Sequence, residues 1–497
     1  MTAGIPDAGA AHDATVRGAA AGSGMDVLRA VAVTAGIGWS VAFVVVGLRY
    51  QLQQYADGSM FSYAVAVQDS WAFHWHNISG RLLVYLVTCV PAEMYIALTK
   101  DARGGIVLYG FLFFVMPLAG LAATWAADRS KGRIIFVYAC ASTACLCPLV
   151  FGFPTEMWAA HALFWPALAV CHYARGGIGG AALVFAMLLA LVFTHEAAPL
   201  LEVVILTTLA LRGMRDAAFL RAAGAFLVVM AVWMLVKAAL PPDDYDAPMM
   251  ARAALLVFEV KILASYIVVL LAAAIAGYGI AFPVFRRLSP AKAHLCAALL
   301  VAVALAVYWL WFDRSLHADQ RYPMRTVLLV VMAALGGLAA AYALAAEGRL
   351  NLPVPLLPRL MAALARDPMA RAAAGAILVV TLVHAVELAK FVRAWTGYEA
   401  AVRTLAMGSA SDPALGDAQF VSSDRIDAGL NRLSWFSTTQ FLSVLVAPGF
   451  APERLVVDPT ANYFWLSCAT ATANEEADRA VPVESRRLVR VHACLHR

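Results

Sequence analysis

The sequence predicts an all-α polytopic membrane protein of about 11–13 transmembrane helices, with a small mixed extramembrane C-terminal domain. Three observations predict it. Hydrophobic residues make up 62% of the 497-residue chain and charged residues only 14%, with a mean hydropathy of +0.75. A soluble globule carries about 25% charge, so these residues cannot form one core beneath a charged surface. Apolar runs near the roughly 20 residues a helix needs to cross hydrocarbon recur along the chain, and only internally hydrogen-bonded backbone survives there. Short Lys/Arg clusters separate the later runs, as they do in loops on the cytoplasmic side. The net charge of +5 comes largely from those clusters rather than from one basic face, which excludes nucleic-acid binding.

Residues 1–26, rich in Ala and Gly, read as a cytoplasmic tail. The run 27–48 is too long for a signal-peptide core and lacks a cleavage site, so it is expected to stay as the first helix. A long outer loop follows at 49–81, with aromatic and His residues suited to interfacial helices. Further runs lie at 82–99, 105–127, 134–152, 158–174, 179–194, 198–212, 221–240, 257–285, 293–312, 326–346 and 370–392. Those at 158–174, 179–194 and 198–212 are short, and are expected to tilt, break or stop at a buried water-filled cavity. The clusters Arg129/Lys131/Arg133, Arg212/Arg215/Arg221, Arg286/Arg287/Lys292 and Arg349 to Arg371 make their loops cytoplasmic. The alternate loops and everything after Arg393 then face out. Twelve crossings from a cytoplasmic N-terminus would bring the C-terminus back inside, so one segment does not cross, and a re-entrant piece or extra half-helix within 82–127 would restore parity. The transmembrane domain is therefore 27–393 and the outer domain 394–497, with short strands expected at 441–446 and 454–458. No internal repeat is visible, which counts against a transporter built from two related halves.

Charge beside a membrane span is costly, so ionisable residues there are functional candidates. The first loop carries Asp57, Asp69, His74, His76 and the segment Asn77-Ile-Ser79-Gly80-Arg81, placing a carboxylate and a phosphate-binding cation on one side. Asp57 is either a base or a solvated loop residue, and Arg81 either a ligand or an interfacial anchor. His74 and His76 are two apart, which is not helical metal-ligand spacing, so no metal or other cofactor is indicated although metal dependence stays open. Glu156 opens one helix, and His195 and Glu196 sit between two apolar runs; Glu196 has His195, Arg81 or a later Arg as partner. Arg321, Tyr322 and Arg325 lie just before a helix, on the side that ordinarily lacks positive charge, which points to an anion site or to salt bridges with Asp313 or Asp319. Lys237 and Lys261 are weaker candidates of the same kind. Trp71, Trp75 and Trp158 are either stacking platforms for a ligand or members of an interfacial belt. Six cysteines lie in apolar stretches, whereas Cys468 and Cys494 lie in the outer tail and would pair in an oxidising compartment.

A first helix, a long outer loop with Asp57 near its start, outer loops bearing Glu and Arg, and an outer C-terminal domain together resemble the GT-C superfamily of integral-membrane glycosyltransferases. The local match is Asp57 with Asn77-Ile-Ser79-Gly80-Arg81; the Asp-x-Asp of some members is missing from the first loop. The resemblance implies a polyprenyl-phosphate sugar donor and an envelope lipid or glycan acceptor. Asp57 would be the base of an inverting displacement, and Arg81, Arg321 and Arg325 would neutralise the departing phosphate. Asp69, His74, His76, Asn77, Glu156, His195, Glu196 and Tyr322 would line the substrate pocket. It also implies a multi-pass protein of a bacterial-type inner membrane, in contact with membrane lipids and not nucleic acid. The competing reading is a transporter or flippase for a lipid-linked or anionic solute, whose polar groups would reach both faces. A third is a structural subunit of an envelope complex.

Overall fold

The computed structural model describes residues 8–71, 78–150, 155–239, 263, 265–285, 287–313, 324–351, 366–408, 420–434 and 438–457. The chain is an all-α polytopic membrane protein. In order its helices are α1 (Ala8–Arg49), α2 (Asp57–Ala66), α3 (Ile78–Thr99), α4 (Ala102–Phe114), α5 (Met116–Ala127), α6 (Ile134–Leu146), α7 (Glu156–Tyr173), α8 (Ile178–Val192) and α9 (Ala198–Ala210). They continue with α10 (Ala217–Ala239), α11 (Tyr266–Val284), α12 (Pro290–Val307), α13 (Met324–Ala346), α14 (Asp367–Ala406), α15 (Ala428–Asn431) and α16 (Thr439–Val446). Seven described helices are long and apolar enough to cross a membrane, and α4 with α5, bent by 41°, makes an eighth. Helices α8 and α9, of 15 and 13 residues, each rise only roughly 20 Å, less than the roughly 30 Å of hydrocarbon.

Contacts between loops sort the helix ends into two groups. At one end, Arg29 donates to the carbonyl of Gly132 at 3.0 Å, Arg212 to that of His172 at 2.7 Å and Arg221 to that of Arg175 at 3.0 Å. The Tyr173 hydroxyl donates to Glu347 at 2.7 Å there. This is the basic end. At the other, Trp395 donates to the carbonyl of Tyr50 at 2.9 Å and Arg103 to that of Ala447 at 2.8 Å. Near the start of helix α3, Leu83 donates to the Phe193 carbonyl at 3.1 Å, and Arg103, just beyond its far terminus, makes the contact with Ala447. The helix has the length and hydropathy of a span.

Small residues let the remaining helices approach closely. A Cβ at Gly36 of α1 would lie 2.6 Å from the Cys140 backbone of α6, and one at Gly120 of α5 would lie 2.5 Å from the Ala162 carbonyl oxygen of α7. Without a hydrophobic driving force in lipid, such close backbone contact supplies the packing energy.

Helix α14 continues unbroken to Ala406, past the 393/394 division drawn on hydropathy. Beyond it, β1 (Phe420–Ser422) and β2 (Leu455–Val457) pair in parallel, Phe420 opposite Leu455. The strand expected at 454–458 is thus present. The one expected at 441–446 is not: those residues form the greater part of α16, buried on every side, and a short apolar run packed all round does not reveal its period. The first loop folds back as α2, which packs beneath α16, with Ser59 donating to the Thr438 carbonyl at 3.1 Å.

Candidate functional site

Arg81 sits where the first turn of α3 breaks, at φ −128° and ψ 17°. The break aims its side chain at two carboxylates: Nη1 lies 2.9 Å from Glu156 Oε1, and Nε lies 3.7 Å from Glu196 Oε2. Glu156 is the first residue of α7, capped by Thr155, whose hydroxyl accepts from the Met157 amide at 3.3 Å; a carboxylate there faces the positive end of the helix. Glu196 lies in the turn between α8 and α9. His195 beside it accepts the Ala197 amide proton at Nδ1, at 3.0 Å, which places the proton of the neutral ring on Nε2. Gly80 permits the arrangement, since a Cβ there would lie 2.1 Å from Glu196 Oε1.

Burial pushes the Glu156 carboxyl up, but the Arg81 guanidinium, with Arg325 behind it, more than reverses this and leaves it below its ordinary value. Glu196 is held low in the same way, by Arg81 and then by His195 and Lys237. Burial pushes His195 down to about 4, so the ring is neutral at pH 7. Among the described residues, the cations Arg81, Arg325 and Lys237 lie in electrostatic range of the two carboxylates, one positive charge more than the pair carries. An anion entering the cluster would be attracted.

Asp57 opens α2, directly after Ala56 at φ 53° and ψ −132°. Gln51 and Gln68, at φ 50° and 56°, mark the two ends of the same segment. Left-handed backbone at a non-glycine residue costs on the order of 1–3 kcal/mol and persists where the surroundings impose it. The buried Tyr109 hydroxyl of α4 lies within electrostatic range of both Asp57 and Glu156. Asp69 belongs to a different pair. Its neighbour is Glu93 of α3, which accepts from the Ser70 amide at 2.8 Å; burial and then Glu93 push Asp69 up to about 6.

Of the residues singled out in the sequence, the structure brings together Arg81, Glu156, His195, Glu196 and Arg325, sets Asp57 nearby and places Asp69 with Glu93. His74, His76, Asn77, Arg321, Tyr322, Cys468 and Cys494 lie outside the described residues. Trp158 is neither a stacking platform nor an interfacial residue. It is fully buried, 4.6 Å from the Phe43 ring, and donates to the Cys147 carbonyl at 3.3 Å. Among the described residues no group of three or more His, Cys, Asp or Glu could hold a metal ion.

Several polar groups escaped sequence reasoning. Lys390 of α14 contacts Asp313 and lies 3.1 Å from Glu387, while Tyr266 donates to Asp313 and Trp309 to Glu387, both at 2.8 Å. His384, Glu387 and Lys390 recur every three residues inside a run read as purely apolar, and that spacing was the available signal. Glu202 of α9 is completely buried, with neither carboxyl oxygen hydrogen-bonded. Gln53 and Tyr109 are neutral and gave no signal. Comparison with family models, curated protein sequences and solved structures finds no match.

Proposed function

We propose that this chain is a membrane glycosyltransferase of the GT-C type, moving a sugar from a polyprenyl-phosphate donor to an envelope lipid or glycan acceptor. The observation that carries the reading is the convergence of Arg81, Glu156, His195 and Glu196, with Arg325 and Lys237 in range, at the end of the bundle that also bears Asp57. The basic loops at the opposite end mark that end as cytoplasmic, so the site faces out. In the reaction the acceptor hydroxyl oxygen attacks the anomeric carbon while the bond from that carbon to the phosphate oxygen breaks. Asp57 takes the hydroxyl proton, and the lipid phosphate leaves with the electron pair, its charge met by the excess cation. One displacement with one base inverts the anomeric centre. The membrane helices hold the prenyl tail.

The test is sugar transfer from mixed polyprenyl-phosphate donors by the purified protein in lipid, with Asp57→Asn and Arg325→Gln beside the wild type. Loss of transfer in Asp57→Asn with donor binding kept, and weaker donor binding in Arg325→Gln, support the reading. No transfer by the wild type from any donor refutes it.

One observation favours a transporter. Along the α8–α9 hairpin, polar groups run from Glu196 through buried Glu202 to the Thr208–His172 hydrogen bond at 2.9 Å and on to Arg212, joining the two ends of the bundle. Donor-stimulated lipid movement in liposomes that is lost in Glu202→Gln would establish that reading instead.

A further inference from the structure

Beneath α2, beside Asp57, lies a set of polar atoms that the fold leaves without partners. Gln53 is 1% exposed and neither its amide nitrogen nor its amide oxygen is hydrogen-bonded; Gln54 Oε1 and the hydroxyl of Tyr109, also 1% exposed, are in the same condition. Native proteins satisfy nearly all such groups, so several together call for an explanation. They are neighbours: the Gln53 side chain lies against Gly110, where a Cβ would come within 2.8 Å of its amide carbon, and Tyr109 is the next residue of α4. The set is neutral, offering amide and phenol donors and acceptors, and its Tyr109 hydroxyl lies within electrostatic range of the Asp57 and Glu156 carboxylates. A ligand with several hydroxyls would find a donor or acceptor for each.

The atoms are sealed from solvent, so a ligand reaches them only when the segment above them lifts. That segment is α2, flanked by Ala56 and Gln68, both non-glycine residues at positive φ. Strain at both ends of a cover that closes over unpaired polar groups describes a closed state held at a cost, which occupancy would relieve.

We propose that Gln53, Gln54 and Tyr109 form the hydroxyl-recognising subsite for a neutral polyhydroxylated ligand, covered by helix α2. This rests on the reading of the Arg81 cluster as the phosphate site of a lipid-linked sugar, and it adds the residues that recognise the sugar. The subsite separates stability from binding. Because the Tyr109 hydroxyl and the Gln53 amide have no partners in the closed protein, Tyr109→Phe and Gln53→Leu remove unsatisfied polar atoms and leave the fold as stable as before or more so.

The experiment measures thermal unfolding of the detergent-solubilised full chain, alone and with two probes: undecaprenyl phosphate, and a panel of methyl hexosides and pentosides. The expected result is that both variants melt at or above the wild type. Each should also lose about tenfold in affinity for the glycoside that protects the wild type, a factor matching one hydrogen bond, and bind undecaprenyl phosphate unchanged. A variant that melts below the wild type shows that the groups are structural and overturns the proposal. So does glycoside protection that is absent, or equal in wild type and variants, while undecaprenyl phosphate still binds. Failure of undecaprenyl phosphate to bind the wild type strikes instead at the reading of the Arg81 cluster, and the glycoside arm still decides the subsite.

Discussion

Replacing Arg81 by Ala would leave Glu156 and Glu196 facing each other in a site where their side chains are only 6% and 17% exposed. Breaking a buried ion pair by removing one partner costs about 3–5 kcal/mol, because the remaining charge is left uncompensated. Here two carboxylates lose their shared partner, and Arg325 and Lys237 compensate only in part, so the expected loss is near the upper end of that range. Arg81→Lys should recover only part of it, since one ammonium cannot reproduce the two-sided contact of the guanidinium. The decisive variant is the triple change Arg81→Ala, Glu156→Gln, Glu196→Gln. It removes the ion cluster as a whole, and replacing a buried cluster entire is far less costly than breaking it. Unfolding in mixed micelles by denaturant should therefore rank the wild type and the triple variant close together, with Arg81→Ala far below both, while donor binding is lost in both variants. A single variant as stable as the wild type, or a triple variant as unstable as the single one, would refute the assignment of Arg81 as the charge that holds the two glutamates.

Two further outcomes follow from the same cluster. His195 is displaced from 6.5 to about 4 by burial, so the unfolded chain binds a proton that the folded one refuses between those values. Stability contributed by the neutral ring is complete above about pH 6.5 and falls as the pH drops towards 4, by roughly 3 kcal/mol in all. Melting curves over that range should steepen accordingly, and His195→Asn, which keeps an acceptor for the Ala197 amide, should flatten them; an unchanged slope would show that His195 is not the titrating group. Gly80→Ala places a Cβ 2.1 Å from Glu196 Oε1 and should cost about 1–3 kcal/mol, with the loss relieved in the Gly80→Ala/Glu196→Ala double variant. Additive losses in that pair would disprove the contact.

The fold was legible wherever hydropathy alone decides it. Each of the twelve apolar runs carries a described helix, because hydrocarbon leaves the backbone no other solution. Hydropathy does not report which end of the bundle holds a terminus; contacts such as Leu83 with Phe193 and Arg103 with Ala447 do. The ionic half of the site was legible for a similar reason: a buried Glu196 must find a cation, and Arg81 was among the few on offer. Neutral groups announce nothing. Gln53 and Tyr109 become notable only once the fold has buried them without partners, and Lys390, Glu387 and His384 were hidden inside a run whose average was apolar.

The placement of the polar clusters bears on the choice between the two functional readings. The Arg81 cluster, the Lys390 network and the segment carrying Asp57 lie at the end opposite the basic loops. A transferase needs this one-sided arrangement, since it acts on the headgroup of a lipid and has no use for polar groups deeper in the bundle. Glu202 is the exception, a carboxyl buried between the two ends with no partner to explain it. If its only role were structural, Glu202→Leu would raise stability and leave transfer untouched, because an unpaired buried carboxyl is costly to keep. If it belongs to a path between the ends, the same change would raise stability and abolish movement of the substrate across the bilayer. Stability is expected to rise in either case, so only the second measurement separates an enzyme with a one-sided site from a carrier that uses the whole hairpin.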